Sequence, residues 1–181
     1  CLSEPVCGCF LTVCADYPLV YAERQTDGLG AYAAPSCRRL GNLFDKGRCF
    51  EQLACDPTLL AFARHTIRPD GCRWQAFNAH DPRPHDPSAR QPIHADRSFF
   101  PNCTAYVNVI LALDDFTAEN GSPRVVPGSS HCSWPAAEGA SLLDPVAGEV
   151  RLLCSAGTAI VCHGDLWHGG MENGSDHPRR A

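Results

Sequence analysis

The spacing of apolar positions along this chain changes period near residue 72. Upstream, Phe50, Leu53 and Ala54 fall at i, i+3 and i+4, the spacing of one buried helical face. Asp56-Pro57 follows, an acidic cap with proline at the first helical position. Leu59, Leu60, Ala63 and Ile67 then continue as a second apolar stripe, so the pattern predicts helices within residues 42–67. Downstream the period is that of strands. Residues 103–113 are the clearest: Val107, Val109, Leu111 and Leu113 share one face, and Tyr106, Asn108 and Ile110 the other. Shorter strands are predicted at 73–78, 124–126, 149–153 and 158–162, the last two joined by a turn at Ser155-Ala156-Gly157. Residues 81–90 hold three prolines and no period, and read as loop. Residues 131–148 read as a long irregular connection, 18–22 as a short strand, and 28–36 as loop. Helices first and many short strands afterwards predict one mainly β domain over residues 1–181. Its helical part (about 42–67) packs on a β-sandwich or barrel (about 72–181).

Composition narrows the function classes. The 181 residues suit a single sizeable core. Net charge is −5 with no long basic run, so nucleic acid is not an expected partner. No apolar run reaches the ~18 residues of a membrane span. Twelve cysteines are scattered without any C-x-x-C pair. Several, such as Cys154 and Cys162, sit in apolar runs, so mostly reduced, buried thiols and a cytoplasmic setting are expected. The chain begins at Cys1, contains one Met and stops soon after Arg179, and is expected to be part of a longer protein.

The candidate chemistry starts at Gln91-Pro92-Ile93-His94-Ala95-Asp96. On a strand, residues i and i+2 leave the same face, so His94 and Asp96 would aim an imidazole and a carboxylate at one point. A third ligand is offered by Leu166-Trp167-His168-Gly169-Gly170. Two His and one carboxylate with open positions make the facial triad of non-haem Fe(II) oxygenases. His163 is the rival third ligand, since Gly164-Asp165 could turn the chain. The glycines beside His168, which permit close backbone approach, favour His168. His65, on a predicted helix, and His80, His85, His131 and His177, in loops, have ordinary surface or packing roles. A co-substrate such as 2-oxoglutarate would chelate the metal through one carboxylate and need a fixed cation for the other. Arg179 is the candidate fork, with Arg180 its competitor.

Three ordered segments carry a family resemblance: Gln91 to Asp96, Glu119 to Ser129, and Trp167 to Arg179. Together they resemble the phytanoyl-CoA dioxygenase family, and the similarity extends over most of residues 42–181. An additional serine in Pro127-Gly-Ser-Ser-His131 and the many cysteines depart from its pattern, and the final strand usual in such folds is missing after Arg179. The resemblance implies a double-stranded β-helix (a cupin-like jelly roll) with the helices packed outside. It implies Fe(II) held by His94, Asp96 and His168, 2-oxoglutarate bound by Arg179 with help from Gln91, and O₂ as the oxidant. Asn78, Tyr106, Asn108 and Thr158 are looser candidates for the cofactor wall. The Asp96 carboxylate implies hydroxylation or a related oxidation rather than halogenation. No basic cluster marks a coenzyme A site, so the expected substrate is a small organic molecule of secondary metabolism. Residues 97–102, with Phe99 and Phe100, and 131–148, with Trp134, are where its specificity would sit. Two other readings stay open: a cupin-like metal enzyme without 2-oxoglutarate, and a disulfide-stapled binding module.

Overall fold

The computed structural model describes residues 37–67, 77–96, 107–132, 143–177 and 179–181, with the backbone alone at 38, 39, 66 and 67. The segments read as strand or loop at 18–22 and 28–36, residues 73–76, the aromatic pair at 99–100, Tyr106 and Trp134 lie outside the described residues.

The helical stretch divides into a 3-10 turn at Leu43–Lys46, helix α1 (Arg48–Ala54) and helix α2 (Pro57–Ile67). Asp56 separates the two helices for a chemical reason. Its Oδ1 accepts from the backbone N–H of Thr58 at 2.9 Å and of Leu59 at 3.0 Å, satisfying donors that the first helical turn leaves unpaired. Phe50 and Leu53 from α1 and Leu59 from α2 are buried in one cluster with Leu40, Leu43, Leu111 and Leu113, and Val109 packs against it. The apolar face read for residues 107–113 is thus the face that meets the helices.

Among the described residues, seven strands form antiparallel ladders. Strands β1 (Cys37–Leu40) and β2 (Ala79–Pro82) pair, as do β3 (Val107–Leu111) and β6 (Ala159–His163). The third ladder places β4 (Pro123–Val125) between β5 (Val150–Arg151) and β7 (His168–Gly170). Residues 179–181 link the first two ladders. His80 and Ala181 exchange backbone hydrogen bonds of 2.7 and 3.0 Å, and Leu113 N donates to Arg180 O at 3.0 Å. The chain is mainly β with antiparallel sheets.

Local differences from expectation have local causes. Residues 81–82 are strand rather than loop, because Asp81 and Pro82 pair with Arg38 and Cys37 far upstream, a partner that no period in 81–90 can reveal. Phe77 and Asn78 are not strand; Phe77 O and Asn78 Oδ1 instead accept from the N–H groups of Leu43 and Asn42. The strand read at 149–153 shrinks to two residues. Of the described cysteines, Cys55 and Cys132 are exposed rather than buried, while Cys154 and Cys162 are half-buried. No helix among the described residues is long and apolar enough to cross a membrane.

Candidate metal centre

Strand β7 and the segment 91–94 lie side by side. His94 and His168 exchange both backbone hydrogen bonds, at 2.8 and 2.9 Å, and Gln91 N donates to Gly170 O at 2.8 Å. His94 therefore sits in an isolated two-residue bridge rather than in a strand, yet the bridge sets both rings at the same place. The ring centroids are 4.4 Å apart. The glycines after His168 make this approach possible. A Cβ on Gly169 would stand 2.9 Å from Pro92 O and 3.0 Å from Gln91 O, and one on Gly170 would meet Gln91 Oε1 at 3.1 Å.

Asp96 completes the group. Its backbone N–H donates to Gly164 O at 3.0 Å. Oδ1 lies 3.5 Å from His94 Nε2, and Oδ2 lies 3.5 Å from His168 Nε2. Among the described residues, one ligand atom from each of His94, Asp96 and His168 falls within 4.8 Å of the others. Each histidine is held by a carbonyl: His94 Nδ1 donates to Pro92 O at 2.9 Å and His168 Nδ1 to Leu166 O at 2.8 Å. A carbonyl only accepts, so Nδ1 carries the proton and Nε2 presents its lone pair. That is the arrangement of a histidine ready to bind metal. His163 has the opposite arrangement. Its Nδ1 accepts from Asp165 N at 3.1 Å, which puts the neutral ring's proton on Nε2, and it stands outside the group.

The electrostatics follow from burial and proximity. Burial, the largest influence on Asp96, would raise its carboxyl, but the two histidine rings and the Asn108 amide outweigh it and hold the group below the ordinary carboxylate value. Burial and the neighbouring His94 push His168 below the ordinary imidazole value, against the opposing pull of Asp96. Both directions favour the deprotonated forms that ligate a cation.

Arg179 and Arg180 part company. Arg180 forks onto Asp114, with Nε to Oδ2 at 2.9 Å and Nη2 to Oδ1 at 2.7 Å. Arg179 is buried, its Nε finds no hydrogen-bond partner, and its guanidinium carbon lies 5.2 Å from the Phe116 ring centroid. Burial lowers its basicity, partly offset by Cys37, Asp81 and Asp114, and a guanidinium stays charged nonetheless. A buried cation with an unsatisfied donor suits a carboxylate ligand. Gln91 packs its side chain over Gly170. Asn108, on β3, donates from Nδ2 to Asp96 Oδ2. Asn78 is engaged with Asn42, and Thr158 is half-buried.

Arg124, inside the segment from Glu119 to Ser129, is a residue to which the sequence assigned no role. It is fully buried and donates to Glu149 Oε2 at 2.9 Å, to Asp144 O and Leu143 O at 3.1 Å each, and to Gln91 O at 3.4 Å. It thereby ties residues 143–149 to the chain leading into His94. Ser129, also buried, accepts from Trp167 N at 2.8 Å and braces the chain entering β7. Both lie in the segment from Glu119 to Ser129 that carries the family resemblance, but nothing in the local pattern marks either as buried.

A mainly β chain in which His168 of β7, His94 in the bridge beside it and the Asp96 carboxylate converge offers a candidate site for a single metal ion. Comparison with known proteins is more specific. Residues 15–181 match the family model described as phytanoyl-CoA dioxygenase (PhyH). The dioxygenase andF of Emericella variicolor is 35% identical over 102 residues, covering 50% of this chain and 33% of that protein. Among solved structures, HygX from Streptomyces hygroscopicus with nickel and 2-oxoglutarate bound superposes with a TM-score of 0.74 at 18% identity, covering 99% of this chain and 76% of that one. The non-heme alpha-ketoglutarate-dependent carbocyclase SnoK from nogalamycin biosynthesis gives 0.73 at 20%, covering 99% and 73%. The chain spans less than half the length of the curated relatives it matches. It belongs to the phytanoyl-CoA dioxygenase family.

Proposed function

We propose that this chain is a single-domain Fe(II)- and 2-oxoglutarate-dependent dioxygenase, built on a double-stranded β-helix, that oxidises a small organic molecule. The observation that carries the reading is the convergence of His94, Asp96 and His168, with both Nε2 lone pairs facing the carboxylate. These three would hold Fe(II) and leave three positions open. Arg179, buried with an unsatisfied Nε, would take the distal carboxylate of 2-oxoglutarate, with Gln91 beside the site. When bound, iron and 2-oxoglutarate with O₂ would supply the oxidising chemistry, giving succinate and CO₂ and leaving one oxygen atom for the substrate.

The chain's own part is positional. The His94–His168 bridge fixes two ligands on paired backbone, Pro92 O and Leu166 O fix their tautomers, and Asp96 balances part of the metal charge. Family membership, the dioxygenase names of the fungal relatives and the 2-oxoglutarate-bound HygX structure support the co-substrate. HygX with hygromycin B bound supports a small-molecule substrate. The test is anaerobic Fe(II) titration with 2-oxoglutarate. A weak visible charge-transfer band that disappears in His168→Ala is the expected result. Metal binding without that band removes 2-oxoglutarate and leaves a cupin-like metal enzyme.

A further inference from the structure

Each histidine of the metal centre has one carbonyl that orients it. Asp96, the third group, has a side chain instead: Asn108 Nδ2 donates to its Oδ2. A carboxylate only accepts, so the amide nitrogen must face it. We infer that Asn108 is a positioning residue that keeps Asp96 coordinated through one oxygen, Oδ1, so that a full set of open positions is preserved. The inference rests on the metal-centre reading above and deepens it.

The geometry supports the role in three ways. Asn108 is the second residue of β3, paired with Cys162 of β6, so the donor stands on a two-strand ladder rather than on a loop. Its strand neighbour Val109 and the alternating Leu111 pack into the helix-covered core, which turns Asn108 to the opposite face, where Asp96 is. The backbone of Asp96 is separately fastened by Gly164 O, so the residue is held at its backbone by the turn after β6 and at its side chain by β3.

The chemistry makes an amide the apt residue here. An oxygen that accepts an N–H has less electron density to give a metal. With Oδ2 engaged, Oδ1 would be the donor, and two imidazoles plus one oxygen would leave positions open for a chelating co-substrate and for O₂. Chelation by both oxygens would leave one fewer. A neutral amide does this without adding charge or a competing nitrogen ligand, which aspartate or histidine at 108 would do.

The experiment uses cobalt(II), titrated anaerobically into the whole metal-free chain, with isotope-edited infrared difference spectra recorded on binding. In wild type the asymmetric and symmetric carboxylate stretches should be widely separated, as for one-oxygen coordination. Asn108→Leu should narrow that separation and weaken cobalt(II) binding about 10- to 100-fold, the range for losing a partner of a metal ligand. Asn108→Ser, shorter and unable to reach Asp96, should do the same and serves if the leucine variant does not fold. A folded variant with unchanged separation and unchanged affinity overturns the inference alone. Failure of wild type to bind cobalt(II) overturns it together with the metal-centre reading.

Discussion

Arg179 and Arg180 have the same side chain and adjacent positions, and their surroundings separate them. In extended chain, neighbours point to opposite faces; Arg180 takes up Asp114, while Arg179 is buried with Nε unsatisfied. Replacing Arg179 by Gln should therefore remove a charge-assisted contact to 2-oxoglutarate of about 1.5–3 kcal/mol, or about 10- to 150-fold in affinity. Fe(II) binding should persist. Arg180→Gln should leave co-substrate affinity unchanged and cost about 1 kcal/mol or less, because its ion pair is partly exposed. Isothermal titration of each variant with 2-oxoglutarate decides between them; equal losses would return Arg180 to candidacy. Cys162 gives a second residue-scale expectation. Burial, with the nearby Asp96 charge, pushes its thiol up to about 11. A thiol unperturbed in the unfolded chain titrates near 8.5. Its pKa is thus raised on folding, so its contribution to stability is present below that value and fades as pH rises toward 11. At pH 8, iodoacetamide should modify exposed Cys55 and Cys132 well before Cys162, because the thiolate is the reactive form. Peptide mapping of the labelled protein reads the order, and early labelling of Cys162 contradicts it.

At the scale of elements, the pairing of β7 with residues 91–94 depends on the absence of a methyl group. In Gly169→Ala, a Cβ 2.9 Å from Pro92 O meets backbone rather than a movable side chain. The expected outcome is separation of His94 from His168, about 1–3 kcal/mol of lost stability, and loss of Fe(II) binding out of proportion to the loss of fold. Thermal unfolding beside metal titration checks this; normal metal affinity in the variant would show that the two segments tolerate the intrusion. The elements legible in the sequence were those fixed by local rules. The Asp56 cap holds in the structure, and so does the alternating face at Val109, Leu111 and Leu113, although the strand itself ends at Leu111 rather than Leu113. Strand β2 was illegible because only its partner β1 makes it a strand. His94 occupies a single bridge rather than the expected strand, and the spacing of His94 and Asp96 still brings both side chains to one place.

At the scale of the molecule, the gathering of His94, Asp96 and His168 was legible because a candidate metal site draws on few residue types and the glycines flag a close approach. The support around them was not. Arg124 owes its burial to Glu149 and to carbonyls at 91, 143 and 144, and Asn173, fully buried, holds Ser175, the His177 carbonyl and the Pro82 carbonyl together. Both residues lie in the motif segments, but their partners depend on where distant segments finally lie, which a motif's order does not give. The bridge between His94 and His168 has a bearing on how the protein is made as well as on how it works. These two residues come from stretches far apart in the chain, and their rings meet only after a long loop has been closed. No fragment ending before β7 contains the pair. A metal added during refolding should find its full ligand set late, so its optical signal would act as a clock for the last long-range pairing rather than for the early helices.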